Sequence, residues 1–241
     1  MAVSESATND TIIILQARTS SKRLPGKVLK ELQGIPMLSH SIRRLKKVGR
    51  ASLVVVTSTM NKDDAIEELA LNEGVSCFRG DEADVLDRFY RAAKKYSSNI
   101  IIRATGDNPM VDPIEAKRVL QEINSGKWDY VCGFSSVNGA SLPFGVGVEA
   151  FNLETLEIVW RHGKESQYRE HINDYIFDNR VKFKIRNLPC LSHNNCHDLR
   201  LTVDTQEDFR FLQRIGLGVK KSLIECTTTD IIEWWNKEKN D

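Results

Sequence analysis

The chain has 241 residues, 41% of them hydrophobic and 28% charged, with Lys+Arg 34 against Asp+Glu 33 and a formal net charge of +1. That composition excludes low-complexity disorder and leaves room for one sizeable core. It also excludes a global basic field of the kind that holds nucleic acid or an anionic bilayer. No nucleic-acid or membrane partner is therefore expected, and any anion site must be local. Apolar stretches such as Ile12–Leu15 and Leu53–Val56 are about a fifth of the roughly 20 residues a spanning helix needs. The first ten residues, MAVSESATND, lack the basic and apolar segments of a secretory signal and are expected to be disordered. Cys77, Cys132, Cys190, Cys196 and Cys226 are odd in number and scattered, which suits a reduced, cytoplasmic protein.

Taken in order, the chain alternates short apolar runs with helical patterns. Thr11–Ala17 reads as a buried strand. Pro36–Val48 places Met37, Leu38, Ile42, Leu45 and Val48 on one helical face. Leu53–Ser58 reads as a strand, Asp63–Asn72 as a helix stopped by Gly74, and Val75–Phe78 as a short strand. Asp84–Tyr96 then reads as a helix and Asn99–Ala104 as a strand. Asp112 and Pro113 open the next helix as cap and first residue. This rhythm predicts an α/β fold, a Rossmann-like, doubly wound, mainly parallel sheet with helices on both faces.

After Tyr130–Phe134 the rhythm loosens. Ser135–Phe144 is rich in turn residues and reads as a loop. Helices are predicted over Leu153–His162 and Gln167–Phe177, and strands over Val181–Leu188 and Leu199–Val203. Gln206–Arg214 and Asp230–Lys239 read as closing helices. Trp234 and Trp235 on the last are expected to cover the edge of the core. Residues 11–241 are read as one domain, with a less regular insertion at about 135–177. There Leu153, Leu156, Val159 and Trp160 are candidates for a dimer surface, the alternative being that they cap the core of a monomer.

Chemistry concentrates after the first strand. Between Asp10 and Glu31 there is no acidic residue, yet Arg18, Lys22, Arg23, Lys27 and Lys30 all fall there. In open α/β sheets ligands bind at the carboxyl ends of strands. Arg offers a planar fork for phosphate and Lys a mobile charge, so the cluster suits a polyphosphate. The competing reading is a solvated basic loop. Neither the Walker phosphate loop nor the dinucleotide-binding glycine motif is present. Asp107, after NIIIRATG, and Asp204, after LRLTV, also fall at strand ends. Together they suit a divalent cation held through oxygens, whereas singly either could be a turn or cap residue. Asp112 and Asp208 read as helix caps. Cys190, His193, Cys196 and His197 cluster, but at spacings that do not match a zinc site.

These residues carry a resemblance. QARTSSKRLPGKVL resembles the signature A-R-x-x-S-x-R-L-P-x-K of the bacterial cytidylyltransferases that activate acidic sugars. The likeness is to the spore-coat polysaccharide branch, related to the 3-deoxy-manno-octulosonate and acylneuraminate cytidylyltransferases. RGDEADVLDRF, IIRATGDNPMVDP, LPFGVGVEAF, REHINDYI and LRLTVDTQEDF agree with it in order, from about residue 12 to 209. The resemblance implies CMP transfer from CTP to an acidic 2-keto sugar for surface polysaccharide, with release of pyrophosphate, a need for Mg²⁺, and a homodimer. It implies that Arg18, Ser21, Arg23 and Lys27 handle the triphosphate, with Arg18 and Lys27 catalytic. Asp107 and Asp204 are implied as metal ligands and catalytic residues. Gln16, Ala17, Arg79, Arg88, Thr105 and Gly106 would face the nucleoside, and Phe144, Glu149, Glu170 and His171 the acceptor. Another nucleotide, a non-sugar acceptor, or an inactive nucleotide-binding scaffold of the same fold are the alternatives.

Overall fold

The computed structural model describes residues 10–134 and 136–239; residues 1–9, on which most of the expected disordered N-terminus falls, lie outside them. The strands are β1 (Thr11–Gln16), β2 (Glu31–Leu32), β3 (Ile35–Pro36), β4 (Ser52–Ser58), β5 (Ser76–Gly80), β6 (Ile100–Thr105), β7 (Tyr130–Cys132), β8 (Glu149–Asn152) and β9 (Ile185–Asn187). β2 and β3 form a small hairpin. The other strands form a seven-stranded sheet in the order β5-β4-β1-β6-β8-β7-β9. Every neighbouring pair in it is parallel except the two made by β8, which runs antiparallel to β6 and β7.

The helices are α1 (Met37–Lys46), α2 (Asp64–Asn72), α3 (Val85–Lys95), α4 (Pro113–Ile123), α5 (Leu153–His162), α6 (Ser166–Glu170), α7 (Ile172–Asp178), α8 (Gln206–Gly218) and α9 (Thr228–Glu238). Alternating strand residues bury on opposite faces, which is why the central strands are apolar throughout rather than every second residue. Ile12, Ile14, Val54, Val56 and Ile101 pack under α3, α5 and α7, against Phe89, Leu156 and Ile176. Ile13, Leu15, Val55 and Ile102 pack under α1, α2, α4 and α8, against Leu38, Ile66, Val119 and Leu212. No helix among the described residues is long and apolar enough to cross a membrane.

Local signals hold at the helix ends. Asp112 accepts from Ile114 N at 2.7 Å and opens α4 with Pro113 as its first residue. Asp208 closes a capping box with Thr205 at the start of α8. Gly74 takes φ 67° after α2, a left-handed stop that costs glycine little. Trp234 packs into the core and Trp235 lies against its edge.

The second half departs from expectation in four places. The supposed insertion at 135–177 contributes β8 to the sheet and α5 to its cover, so it is part of the domain's frame. Leu199–Val203 is no sheet strand. Its backbone bonds go to loops instead, with Leu201 N donating to Phe144 O at 2.7 Å and Val203 N to Asp107 O at 2.8 Å. The helix expected over Gln167–Phe177 is broken at His171, whose extended backbone (φ −117°, ψ 90°) separates α6 from α7. Val181–Leu188 shrinks to a single 3₁₀ turn, Arg180–Lys182, followed by the three residues of β9.

The apolar side chains of α5 pack inward. Leu156 and Val159 are fully buried inside the chain. Trp160 stacks on Tyr90 at 4.4 Å and donates to Asp87 Oδ1 at 2.9 Å, and Leu153 packs on the same cluster. Leu156 and Val159 are thus core, and Leu153 and Trp160 are half-buried against it.

Candidate active site

A cleft of about 890 Å³ opens at the carboxyl ends of β1 and β6. Gln16, Ala17, Arg18, Ser21, Arg23, Lys27, Thr105, Gly106, Asp107, Glu170, His171 and Asp204 all line it. The sequence-derived candidates from four separate segments thus converge. A smaller pocket of about 240 Å³ adjoins it and holds Phe144 and Glu149. Arg103, Thr105, Asp107 and Asp204 border both spaces. Close approach at the junction depends on glycine: a Cβ on Gly145, at φ 95°, would stand 2.6 Å from Thr202 N.

The basic loop is shaped by a residue sequence reasoning missed. Asp63, fully buried, accepts from Thr19 N at 2.8 Å, from Thr19 Oγ1 at 2.6 Å and from the Ser58 hydroxyl. Burial pushes its carboxyl up, but these hydrogen bonds outweigh that and hold it below the usual aspartate range. Thr19 O in turn accepts from Ser21 N and Gly26 N, both at 2.9 Å. Gly26 takes φ 68° and turns the chain into the 3₁₀ turn Lys27–Leu29.

Lys27 is 8% exposed and sits at the floor of the cleft. Its ammonium donates to Asp107 Oδ2 at 3.2 Å, Asp204 Oδ1 at 3.0 Å and Val203 O at 2.6 Å. Arg23 lies 3.1 Å from Asp204 Oδ1, and Arg200 donates to its Oδ2 at 2.5 Å. Against the upward push of burial, these three cations keep the Asp204 carboxyl below its ordinary range. Arg18 pairs with Glu170 at 2.8 Å across the cleft, and that contact lowers the Glu170 pKa. Ser20 donates to Glu82 Oε1 at 2.6 Å, joining the loop to the opposite wall.

Two assignments place differently. Arg79 does not line the cleft: its guanidinium pairs with Asp64 at 2.7 Å and Glu67 at 2.8 Å, tying β5 to α2. Arg88 is buried behind the wall, where its Nη1 donates to the carbonyls of Asp81 and Glu82. Burial, then the charge of Arg18, lowers its pKa, and its Nε and Nη2 find no partner. Glu149 is also more deeply placed than an acceptor contact requires. It is 1% exposed and is bound by Arg103 and by the Tyr130 hydroxyl. Arg103 borders the small pocket with its guanidinium held by Glu149. The Cys190–His197 segment assembles no site: among the described residues no group of three or more His, Cys, Asp or Glu is placed to hold a metal ion.

The donor set at the junction nonetheless suits a divalent cation. Two carboxylates already converge on one positive charge, Lys27 Nζ, and hard oxygen ligands are what small divalent ions take. With only two protein carboxylates, the remaining positions would fall to phosphate and water.

The sequence model of the cytidylyltransferase family matches residues 12–231. The chain belongs to the cytidylyltransferase family. This cytidylyltransferase is 33% identical to the spore coat polysaccharide biosynthesis protein SpsF of Bacillus subtilis over 213 residues, 86% of each chain. It resembles the solved structure of a cytidylyltransferase from Leptospira borgpetersenii with a TM-score of 0.87 at 32% identity, over 96% of this chain and 95% of that one. At 18% identity and a TM-score of 0.64, over 86% of this chain and 98% of that one, it shares its fold with CMP:2-keto-3-deoxy-manno-octonic acid synthetase in complex with CTP. The sheet and its helices are thus the nucleotide-diphospho-sugar transferase fold, and the chain is a nucleotidyltransferase.

Proposed function

We propose that this cytidylyltransferase joins CMP from CTP to an acidic 2-keto sugar and releases pyrophosphate, in the service of surface polysaccharide synthesis. The observation that carries this reading is the junction of the two cavities, where Asp107 and Asp204 meet around one cation beside the basic loop. Arg18, Ser21 and Arg23 would take the phosphates, with Gln16, Ala17, Thr105 and Gly106 against the nucleoside. Arg88 would act from behind, fixing the backbone of Asp81 and Glu82. The acceptor would lie in the small pocket against Phe144 and Arg103, with Glu170 and His171 on the cleft side. The synthetase that shares the fold and binds CTP supports the choice of nucleotide, and SpsF supports the polysaccharide context.

The acceptor hydroxyl oxygen attacks the α-phosphorus in line. One P–O bond forms, the bond to the bridging oxygen of pyrophosphate breaks, and the hydroxyl proton passes to solvent. Asp107 and Asp204 would hold Mg²⁺, which when bound neutralises phosphate charge. What the chain itself contributes is positioning and fixed positive charge, the terms that dominate phosphoryl transfer. The same reading includes a homodimer, which the family resemblance favours, and a cytoplasmic location, which the scattered, odd-numbered cysteines favour. Light scattering should then give twice the 27.4 kDa chain mass. A panel of nucleoside triphosphates against several 2-keto sugar acids, read by pyrophosphate release, tests the reaction. Release that requires both CTP and a sugar acid supports it, and equal release with neutral sugars overturns the acceptor assignment.

A further inference from the structure

Lys27 is a lysine with no donor to spare. An ammonium has three N–H groups, and the three go to Asp107 Oδ2, Asp204 Oδ1 and Val203 O. The carboxylates are equally committed. Asp107 Oδ1 accepts from Thr105 Oγ1 at 2.5 Å, and Asp204 Oδ2 accepts from Arg200. All four oxygens of the two aspartates are thus engaged by donors of the chain itself. A cation placed about 2.1 Å from Asp107 Oδ2 and Asp204 Oδ1, as Mg²⁺ requires, would occupy the space the ammonium fills. Asp204 Oδ1 already carries Lys27 and Arg23, so an ion bound there competes directly with the ammonium for the same two oxygens.

We infer that Lys27 is a stand-in for the metal: it holds the two ligands together and must leave before an ion can enter. This positioning role rests on the reading of Asp107 and Asp204 as metal ligands. Lys27 is almost fully buried, so it leaves only toward another anion. The anion the basic cleft is built for is the triphosphate. Nucleotide and metal therefore bind with strong positive coupling, each drawing the other in, because the phosphates take the lysine and the freed carboxylates take the ion. The chain without nucleotide has no open metal site.

The test is Mn²⁺ titration by electron paramagnetic resonance, without and with CTP, on the wild type and on Lys27→Met, an uncharged side chain of similar length. Without nucleotide the wild type should bind Mn²⁺ weakly and Lys27→Met about tenfold more tightly or better, with CTP strengthening Mn²⁺ binding far less in the variant. Adding Asp107→Asn to Lys27→Met should abolish that gain. Equal nucleotide-free affinity in wild type and Lys27→Met overturns the inference, as does a gain that survives Asp107→Asn. If the gain is present but CTP changes nothing in either protein, the inference stands and the choice of CTP falls. Should Lys27→Met not fold, ¹⁵N-lysine spectra of the wild type decide. The hydrogen-bonded Lys27 ammonium signal should ignore Mg²⁺ alone and shift with Mg²⁺ plus CTP. A shift with Mg²⁺ alone overturns the inference.

Discussion

The two halves of this molecule follow different logics. Before β7 the sheet strands β1, β4, β5 and β6 are each followed by a helix, with the β2–β3 hairpin intervening after β1. The central strands β1, β4 and β6 are largely buried on both faces, and the candidate cleft opens at the ends of β1 and β6. Beyond β7 the chain adds an antiparallel strand, a broken helix pair and an extended segment whose hydrogen bonds go to loops. The first half is regular because a parallel strand can be covered only by its crossover helices. The second half is irregular because it closes a sheet and a site that already exist. Asp204 reaches the cleft through such irregular backbone: Val203 N is bonded to Asp107 O, and this seats the neighbouring aspartate beside Lys27. Regularity is therefore no guide to importance here.

The sharpest way to break this contrast is to treat the halves as separable. Leu15, in β1, and Leu201, in no strand, are both fully buried in one cluster. Leu15→Ala and Leu201→Ala should each cost about 2–5 kcal/mol in denaturant unfolding. Both should unfold in one transition. Two transitions, or a negligible effect for Leu201→Ala, would mean the second half is an appendage.

A smaller effect is expected at Asp63, which ties the basic loop to β4. Asp63→Asn leaves a buried donor poorly matched and should lower stability by about 1–3 kcal/mol. The pH dependence follows from the sign of its shift. Its folded carboxyl lies below the ordinary value, so its stabilisation is complete above about pH 4 and is lost as pH falls through the lowered folded value. Urea midpoints measured from pH 6 down to pH 2.5 should fall less steeply in Asp63→Asn than in wild type. Parallel curves would show that the carboxylate does not anchor the loop.

The smallest structural effect is expected at Arg18. Its pair with Glu170 is partly exposed, at 35% and 46% side-chain accessibility. Arg18→Ala should change stability by no more than about 0.5 kcal/mol. Turnover with CTP should nevertheless fall and its KM rise. Unchanged CTP kinetics would return the loop to a solvated basic surface.

Much of this was legible in the sequence, for physical reasons that can be named. Double-sided burial writes itself as apolar runs, so β1, β4 and β6 were found nearly to the residue. A basic loop without acids stands out in a neutral chain, so Arg18 through Lys27 were found together, and they line one cleft. Asp63 was hidden because its partner lies 44 residues away, and it passed for the start of a helix. Arg103 was missed although a signal existed. A lone cation in NIIIRATG and a lone acid in VGVEAF each needed a buried partner, and the antiparallel register pairs Arg103 with Glu149. The misread strand at Leu199–Val203 has the composition of a strand, but its backbone bonds go to Phe144 and Asp107 instead of to a sheet strand.

The central claim is that one carboxylate from each half makes a single metal site. CTP affinity with and without Mg²⁺, measured by calorimetry for wild type, Asp107→Asn and Asp204→Asn alongside their melting curves, tests it most directly. The account expects Mg²⁺ to strengthen CTP binding in wild type and to lose that effect in both folded variants, with metal-free CTP affinity retained or improved. Undiminished Mg²⁺ dependence in either variant, or full wild-type turnover in EDTA, would contradict it.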